Sequence, residues 1–468
     1  MGDTQRSQTI SIEIQGDAEQ AFRDTGKMFN GRTEPDTPLM LYEENSFGRL
    51  RMTAENKPDM VFTSLAHRIN PGLLRDSFRL VRKSESAGVD GMTAKEYAEN
   101  LDKNLYNLWE RLRRGQYVAT PVKRIWLEKE NGEMRPIGIP ALEDKIVQKA
   151  VATILYVVYD VDFYDFSYGF RKDRSQHMAL HELREQCRNQ NVNWIVDADI
   201  SGFFDNIDHD LLQEVIKQRV NDGGILRLIG KWLHAGVMEA DGVTTHPESG
   251  TPQGGVISPL LANIFLHTVL DDWFVEEVKP RMKGRCHIVR YADDFIIGFE
   301  AKSDAERVME VLPKRLERFG LSLNMNKTKL TPFGKPDRRG RFKPGTFDFL
   351  GFTFYQAKSL RGYWVIKKKT AKKRLKRFMK VLWDFCMKNR HKSLKEQYKE
   401  LCAKLLGYYQ YFGVRSNYRA LETVLNHAVR AWRFWLSRRS HKGGQSWAKY
   451  EKVKSDFPLP LPRIIHNI

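Results

Sequence analysis

The chain has 468 residues, 41% of them hydrophobic, which is length for two or three domains and enough apolar material for a substantial core. Its net charge of +19 excludes the near-neutral balance of an ordinary soluble enzyme and points to a polyanionic partner, nucleic acid ahead of an acidic membrane. No apolar run approaches the length of a membrane span, and the N-terminus lacks the charged-then-apolar order of a signal peptide. Cys187, Cys286, Cys386 and Cys402 are scattered and form no CxxC pair, so they read as reduced, mostly buried thiols without a zinc site.

Residues 1 to about 60 are polar, lack periodicity and are punctuated by Pro35, Pro38 and Pro58, which predicts a loosely ordered extension. From about 61 to 355 helical patterns alternate with short apolar strands, an α+β or α/β pattern. Joints rich in glycine and proline recur at Ala87–Gly91, Pro136–Pro140 and Thr251–Gly255. Lys129 and Arg135 flank a hairpin turn at Asn131-Gly132.

The run Trp194–Ile200 reads as a strand whose alternation puts Ile195, Asp197 and Asp199 on one face. Carboxylates in an apolar strand are costly to bury unless paired or bound to metal. Further on, His287–Arg290 and Phe295–Phe299 read as two strands joined by a turn that carries Asp293 and Asp294. An Asp-Asp pair in a turn is ordinarily turn chemistry alone. Paired on a rigid hairpin with a third carboxylate, however, such residues can bridge two magnesium ions.

The stretch Gly334–Gly345 is basic and rich in Gly and Pro, as an exposed loop against a polyanion would be. Residues 361–380 hold ten Lys or Arg and no acid, a density that repels itself unless a polyanion covers it. Apolar residues then fall at helical spacing in three sets, led by Leu375, Tyr398 and Leu421. A bundle of about three helices with basic outer faces is expected from residue 356 to 468.

The blocks Ala198-Asp199-Ile200 with Phe204–His209, Gly250–Gly255 with Ser258–Asn263, and Tyr291–Asp294 resemble the palm motifs of reverse transcriptases. With Arg135–Pro140 and Phe166–Arg171 they resemble the bacterial group II intron-encoded reverse transcriptases, or maturases, in order from about residue 61 to the C-terminus. The resemblance implies an α+β right-hand polymerase, with fingers and palm over residues 61–355 and an α-helical thumb or maturase domain beyond. It implies Asp199, Asp293 and Asp294 as the catalytic triad, with Ile200 beside them at the two Mg²⁺ ions and the nucleotide. Phe204 matches the ring that excludes a ribose 2′-hydroxyl. Lys129 and Arg135 match residues covering the triphosphate, and Gln253 one at the nucleotide sugar. Tyr291, Lys327 and Gly351 match positions at primer and template, and Ala87–Gly91 an N-terminal template clamp.

The partners implied are an RNA template, intron RNA above all, a DNA primer or target, and dNTPs, without a membrane; a homodimer stays open. The expected setting is the bacterial cytoplasm, at the nucleoid. Because the chain shows no cysteine-paired HNH segment before Ile468, no second-strand nuclease is expected. Two other readings share many of these residues: a domesticated enzyme in DNA repair or phage defence, and a non-catalytic RNA-binding splicing factor.

Overall fold

The computed structural model describes residues 47–81, 87–128, 134–239, 243–245, 250, 254–336, 343–439 and 447–468. The long helix Leu142–Tyr159 lies at the centre of the largest core. Ile146, Val147, Ala150, Val151, Ile154, Leu155 and Val158 on it are all fully buried, as expected of a helix that is apolar nearly all round. A sheet in the order β2-β1-β4-β5 flanks this core, built on the antiparallel hairpin of β1 (Val122–Glu128) and β2 (Met134–Ile139), with β4 (Val237–Met238) and β5 (Thr244–Thr245) beyond.

A second sheet carries the acidic motifs. Its order is β6-β7-β3-β8, from β3 (Trp194–Ala198), β6 (Cys286–Tyr291), β7 (Asp294–Phe299) and β8 (Lys329–Pro332), antiparallel throughout. The side chains of β6 are buried along its whole length, although it is the edge strand. The loop after Tyr164 explains this, since it runs beside β6: Arg290 N donates to Phe166 O and Tyr168 N to Arg290 O, each at 2.9 Å.

Two segments depart from the sequence expectation. Residues 47–60, read as loosely ordered, form the helix Gly48–Asn56 and a turn packed on the core through Phe47, Leu50 and Ala54. Arg219, paired with Asp162 at 2.9 Å, donates to the carbonyls of Ala54, Lys57 and Met60 and so closes the open end of that helix. Nothing local in this polar stretch reveals a partner more than 150 residues away.

The helical region likewise starts later than residue 356. That boundary falls inside a three-stranded sheet, β11-β10-β9, of β9 (Phe347–Phe349), β10 (Phe352–Lys358) and β11 (Trp364–Thr370). The lysines of β11 masked its strand character. Lys368 is buried against the Phe354 ring, and Lys369 lies over Tyr355.

The helices Lys372–Lys388, Leu394–Phe412 and Tyr418–Leu436 follow, with Trp447–Asp456 as a fourth. Leu382, Leu401, Leu405, Leu421, Val424, Ala428 and Trp432 form their buried core. The first of these helices exposes Lys372, Lys373, Arg374, Lys376, Arg377 and Lys380. Cys187, Cys286 and Cys386 are buried, Cys402 is half-buried, and none forms a disulfide. Among the described residues no helix is long and apolar enough to cross a membrane.

Candidate functional site

The β6–β7 hairpin closes with Tyr291 paired to Asp294, leaving Ala292 and Asp293 as a two-residue turn. Ala292 adopts φ +57°, a left-handed conformation that costs a residue with a side chain. Central strand β3 pairs with β7 so that Ala198 faces Phe295. One further step in that register sets Asp199 opposite Asp294. The structure thus draws the sequence-predicted acids Asp199, Asp293 and Asp294 to one end of one sheet.

Their electrostatics fit a cluster of like charges. Asp294 is exposed at the start of β7, yet its carboxyl is pushed up to about 7 by the desolvation its neighbours impose, then by Asp293, Asp199 and Asp197. Arg374, from the first helix of the bundle, pulls the other way. Asp197, on the same face of β3, is raised to about 6 by burial first and then by Asp348 and Asp199, with Lys329 opposing. Asp199 Oδ2 accepts from Lys327 Nζ at 3.0 Å, and its main-chain carbonyl accepts from Asn324 N at 2.7 Å.

Hard carboxylate oxygens in surplus over nearby cations suit a hard divalent ion such as Mg²⁺. As the side chains stand, no three His, Cys, Asp or Glu residues converge tightly enough to enclose a metal, among the described residues. Lys327 meanwhile occupies one Asp199 oxygen that a cation could take.

The other predicted site residues distribute as follows. Phe204 is half-buried and meets the buried Phe203 edge-on, ring centres 5.2 Å apart, so Phe203 takes the core position and leaves Phe204 partly open. Ile200 buries its side chain and bridges Leu323. Tyr291 is buried, its hydroxyl pushed up to about 12 by desolvation. Leu350 and Gly351, both at positive φ, form the two-residue turn between β9 and β10. A side chain added at Gly351 would meet Arg374 and Phe412, so this turn seats on the bundle beside the acids. Arg135 stands opposite Leu127 on the β1–β2 hairpin. The loop glycine Gly254 approaches β2 so closely that a Cβ would lie 2.4 Å from the Gly138 carbonyl. Lys129 and Gln253 lie outside the described residues.

Three residues without an individual role in the sequence reading belong to the site. Phe170, at φ +58° and half exposed, sets its ring 6.5 Å from that of Tyr291. Arg290 and Asn263 lie buried beneath the hairpin turn. An exposed bulky residue held at positive φ has no signature in sequence. An arginine inside an otherwise apolar strand does have one, because a charge there needs a buried partner.

Residues 127–354 match the model of the family described as reverse transcriptase (RNA-dependent DNA polymerase). Protein YkfC of Escherichia coli is 33% identical over 295 residues, covering 56% of this chain and 77% of that protein. The group II intron-encoded protein LtrA of Lactococcus lactis is 37% identical over 238 residues, 50% of this chain and 38% of its own length. The putative COX1/OXI3 intron 1 protein of Saccharomyces cerevisiae is 28% identical over 350 residues, 63% of this chain and 42% of its own. The chain therefore spans less than half the length of these two intron-encoded relatives. With its acidic hairpin set beside the Asp199 strand inside the matched segment, the chain belongs to the reverse transcriptase family and is similar to group II intron-encoded proteins within it.

Proposed function

We propose that the chain is an RNA-directed DNA polymerase that binds structured RNA and assists the splicing and mobility of a group II intron. In this reading residues 47 to about 370 are fingers and palm, and the helices from Lys372 onward are the thumb or maturase domain. The observation that carries the reading is the β3–β7 register, which brings Asp199 opposite Asp294 and beside the Asp293 turn.

Asp199, Asp293 and Asp294, with Ile200 beside them, would hold two Mg²⁺ ions, which when bound lower the pKa of a primer 3′-hydroxyl and neutralise charge on departing pyrophosphate. The chain's own groups do the rest. Lys129 and Arg135 grip the triphosphate, the arginine in bidentate fashion. Gln253 meets the sugar, and the half-open Phe204 ring crowds a 2′-hydroxyl, which selects dNTPs. Tyr291, Lys327 and Gly351 line the primer and template. The exposed basic face of helix Lys372–Lys388 holds the duplex through phosphates, independent of sequence.

An intron RNA partner accords with the intron-encoded relatives, and a cytoplasmic setting with access to chromosomal DNA accords with a DNA target. Primer extension on an RNA template with Mg²⁺ tests the proposal, comparing dNTPs with rNTPs and wild type with Asp293→Ala. DNA product from the wild type alone is expected. No product from wild type, or an undiminished product from the variant, would sink it.

A further inference from the structure

Directly behind the turn that carries Asp293 lies an arginine with no exposure to solvent. Arg290 and Asp271 are both completely buried. Arg290 Nε donates to Asp271 Oδ1 at 2.8 Å and Nη2 donates to Oδ2 at 2.5 Å, a bidentate pair. Its Nη1 donates to Asn263 Oδ1 at 2.9 Å and to the main-chain carbonyl of Ala292 at 3.2 Å. Asn263 in turn donates through Nδ2 to the Gly169 carbonyl at 2.6 Å. Two segments therefore meet on the guanidinium itself, the helical stretch that carries Asn263 and Asp271 and the hairpin turn, and Asn263 ties the Gly169 loop to them.

Adhesion alone does not account for this arrangement. A buried ion pair is expensive to desolvate, and apolar side chains of similar volume hold two elements together at least as well. What an apolar pair cannot supply is the bond from Nη1 to the Ala292 carbonyl. That oxygen belongs to the peptide plane running into Asp293 N, so whatever fixes it also fixes where Asp293 N and Cα lie, the base from which the side chain leaves the backbone. Ala292 sits at φ +57°, a conformation that persists only when its surroundings impose it. The loop helps to impose it, for a Cβ at Gly169 would lie 2.3 Å from Ala292 N.

We propose that Arg290 is a positioning residue for divalent-cation binding. With Asp271 as counter-ion and Asn263 as brace, it sets the Ala292–Asp293 peptide so that the Asp293 carboxylate meets the cation already oriented. The inference deepens the polymerase reading and rests on it.

The test uses Mn²⁺ as probe, its binding to the full chain followed by electron paramagnetic resonance without nucleotide, alongside kcat and dNTP KM. In the double variant Arg290→Met with Asp271→Leu both charges leave together and apolar volume remains. Its melting temperature is expected to stay near that of wild type, while Mn²⁺ binding weakens about tenfold or more and kcat falls with little change in KM. Asn263→Ala, which keeps the ion pair, gives a smaller loss of the same kind.

If the double variant does not fold, Arg290→Lys keeps Asp271 paired but loses the second donor arm, and weaker Mn²⁺ binding is again expected. Mn²⁺ binding equal to wild type in a folded double variant, or in Arg290→Lys, would overturn the proposal. A wild type that makes no DNA would instead remove the polymerase reading, leaving the Mn²⁺ comparison to stand by itself.

Discussion

Lys327 Nζ lies 3.0 Å from Asp199 Oδ2, so the carboxylate at the end of the central strand already has a cationic partner from the loop before β8. The pair is open to water, with 65% of the lysine side chain and 34% of the aspartate exposed. Such a pair contributes about 0–1 kcal/mol to stability. Lys327→Ala should therefore leave thermal melting almost unchanged. It should also tighten Mn²⁺ binding to the free chain, because a competitor for Asp199 is gone. A paramagnetic titration of both proteins checks this, and identical curves would show that the lysine does not compete.

Asp294 should make the chain less stable as pH rises. Its folded-state pKa of about 7 lies above the ordinary value of 3.8, so the fold favours the protonated acid. The cost is absent below the ordinary value, grows between it and about 7, and is complete above that. Asp294→Asn removes the ionisation. Its melting temperature should exceed that of wild type by about 1–3 °C at pH 8 without divalent ions, and the gain should vanish near pH 4. Calorimetry at the two pH values decides it, and the same gain at both would show that ionisation of Asp294 is not the cause.

Phe204→Ala should raise rNTP incorporation about 10- to 100-fold relative to dNTP, the scale on which an apolar contact discriminates one small group. The fold should survive, because Phe203 fills the core position. Competition between the two nucleotides in single-addition primer extension measures the ratio. An unchanged ratio in a folded variant would take the sugar-excluding role away from this ring.

Gly169→Ala would place a methyl 2.3 Å from Ala292 N, where the obstacle is backbone and cannot rotate aside. The hairpin turn must shift. A displacement of about 1 Å at a reacting centre can lower the rate about 100-fold. Primer extension should drop accordingly, with a lower melting temperature. Wild-type rate and stability together would show that the loop does not buttress the turn.

His177 should weaken the joint between helix Gln176–Asn189 and the bundle at low pH. Its ring stacks on His466 with centres 3.6 Å apart, and its Nε2 bonds the Tyr411 carbonyl at 2.8 Å. Burial first, then His466 and Lys368, lowers its pKa to about 4, against the Tyr411 carbonyl, which raises it. A base depressed in this way stabilises fully above its ordinary value of 6.5 and progressively less as pH falls toward 4. His177→Gln should lose less stability than wild type between pH 6.5 and 4, as denaturant midpoints at the two ends would reveal. Parallel losses in the two proteins would place the acid sensitivity elsewhere.

Much of the site was legible before any coordinates. Alternation along Trp194–Ile200 set Asp197 and Asp199 on one face, and the apolar runs around Asp293 and Asp294 marked the hairpin, because strand and turn patterns are local. The three main helices of the bundle were legible for the same reason, since helical spacing shows in any amphipathic segment. The β11 strand was not, because Lys367, Lys368 and Lys369 hide its alternation, and it takes the rings of Phe354 and Tyr355 and the distant Leu180 carbonyl to settle two of those lysines there.

The sequence by itself marked which side chains are candidates for the chemistry and most of the helices and strands, because both depend on residue type and spacing along a few turns. Tertiary structure alone decided what those side chains touch. It put Lys327 on Asp199 across 128 positions, Arg219 on the helix Gly48–Asn56 across 165, and Asn263 on Gly169 across 94. Hydrogen bonds of that kind are selected by the geometry of the packed chain, which no local period records.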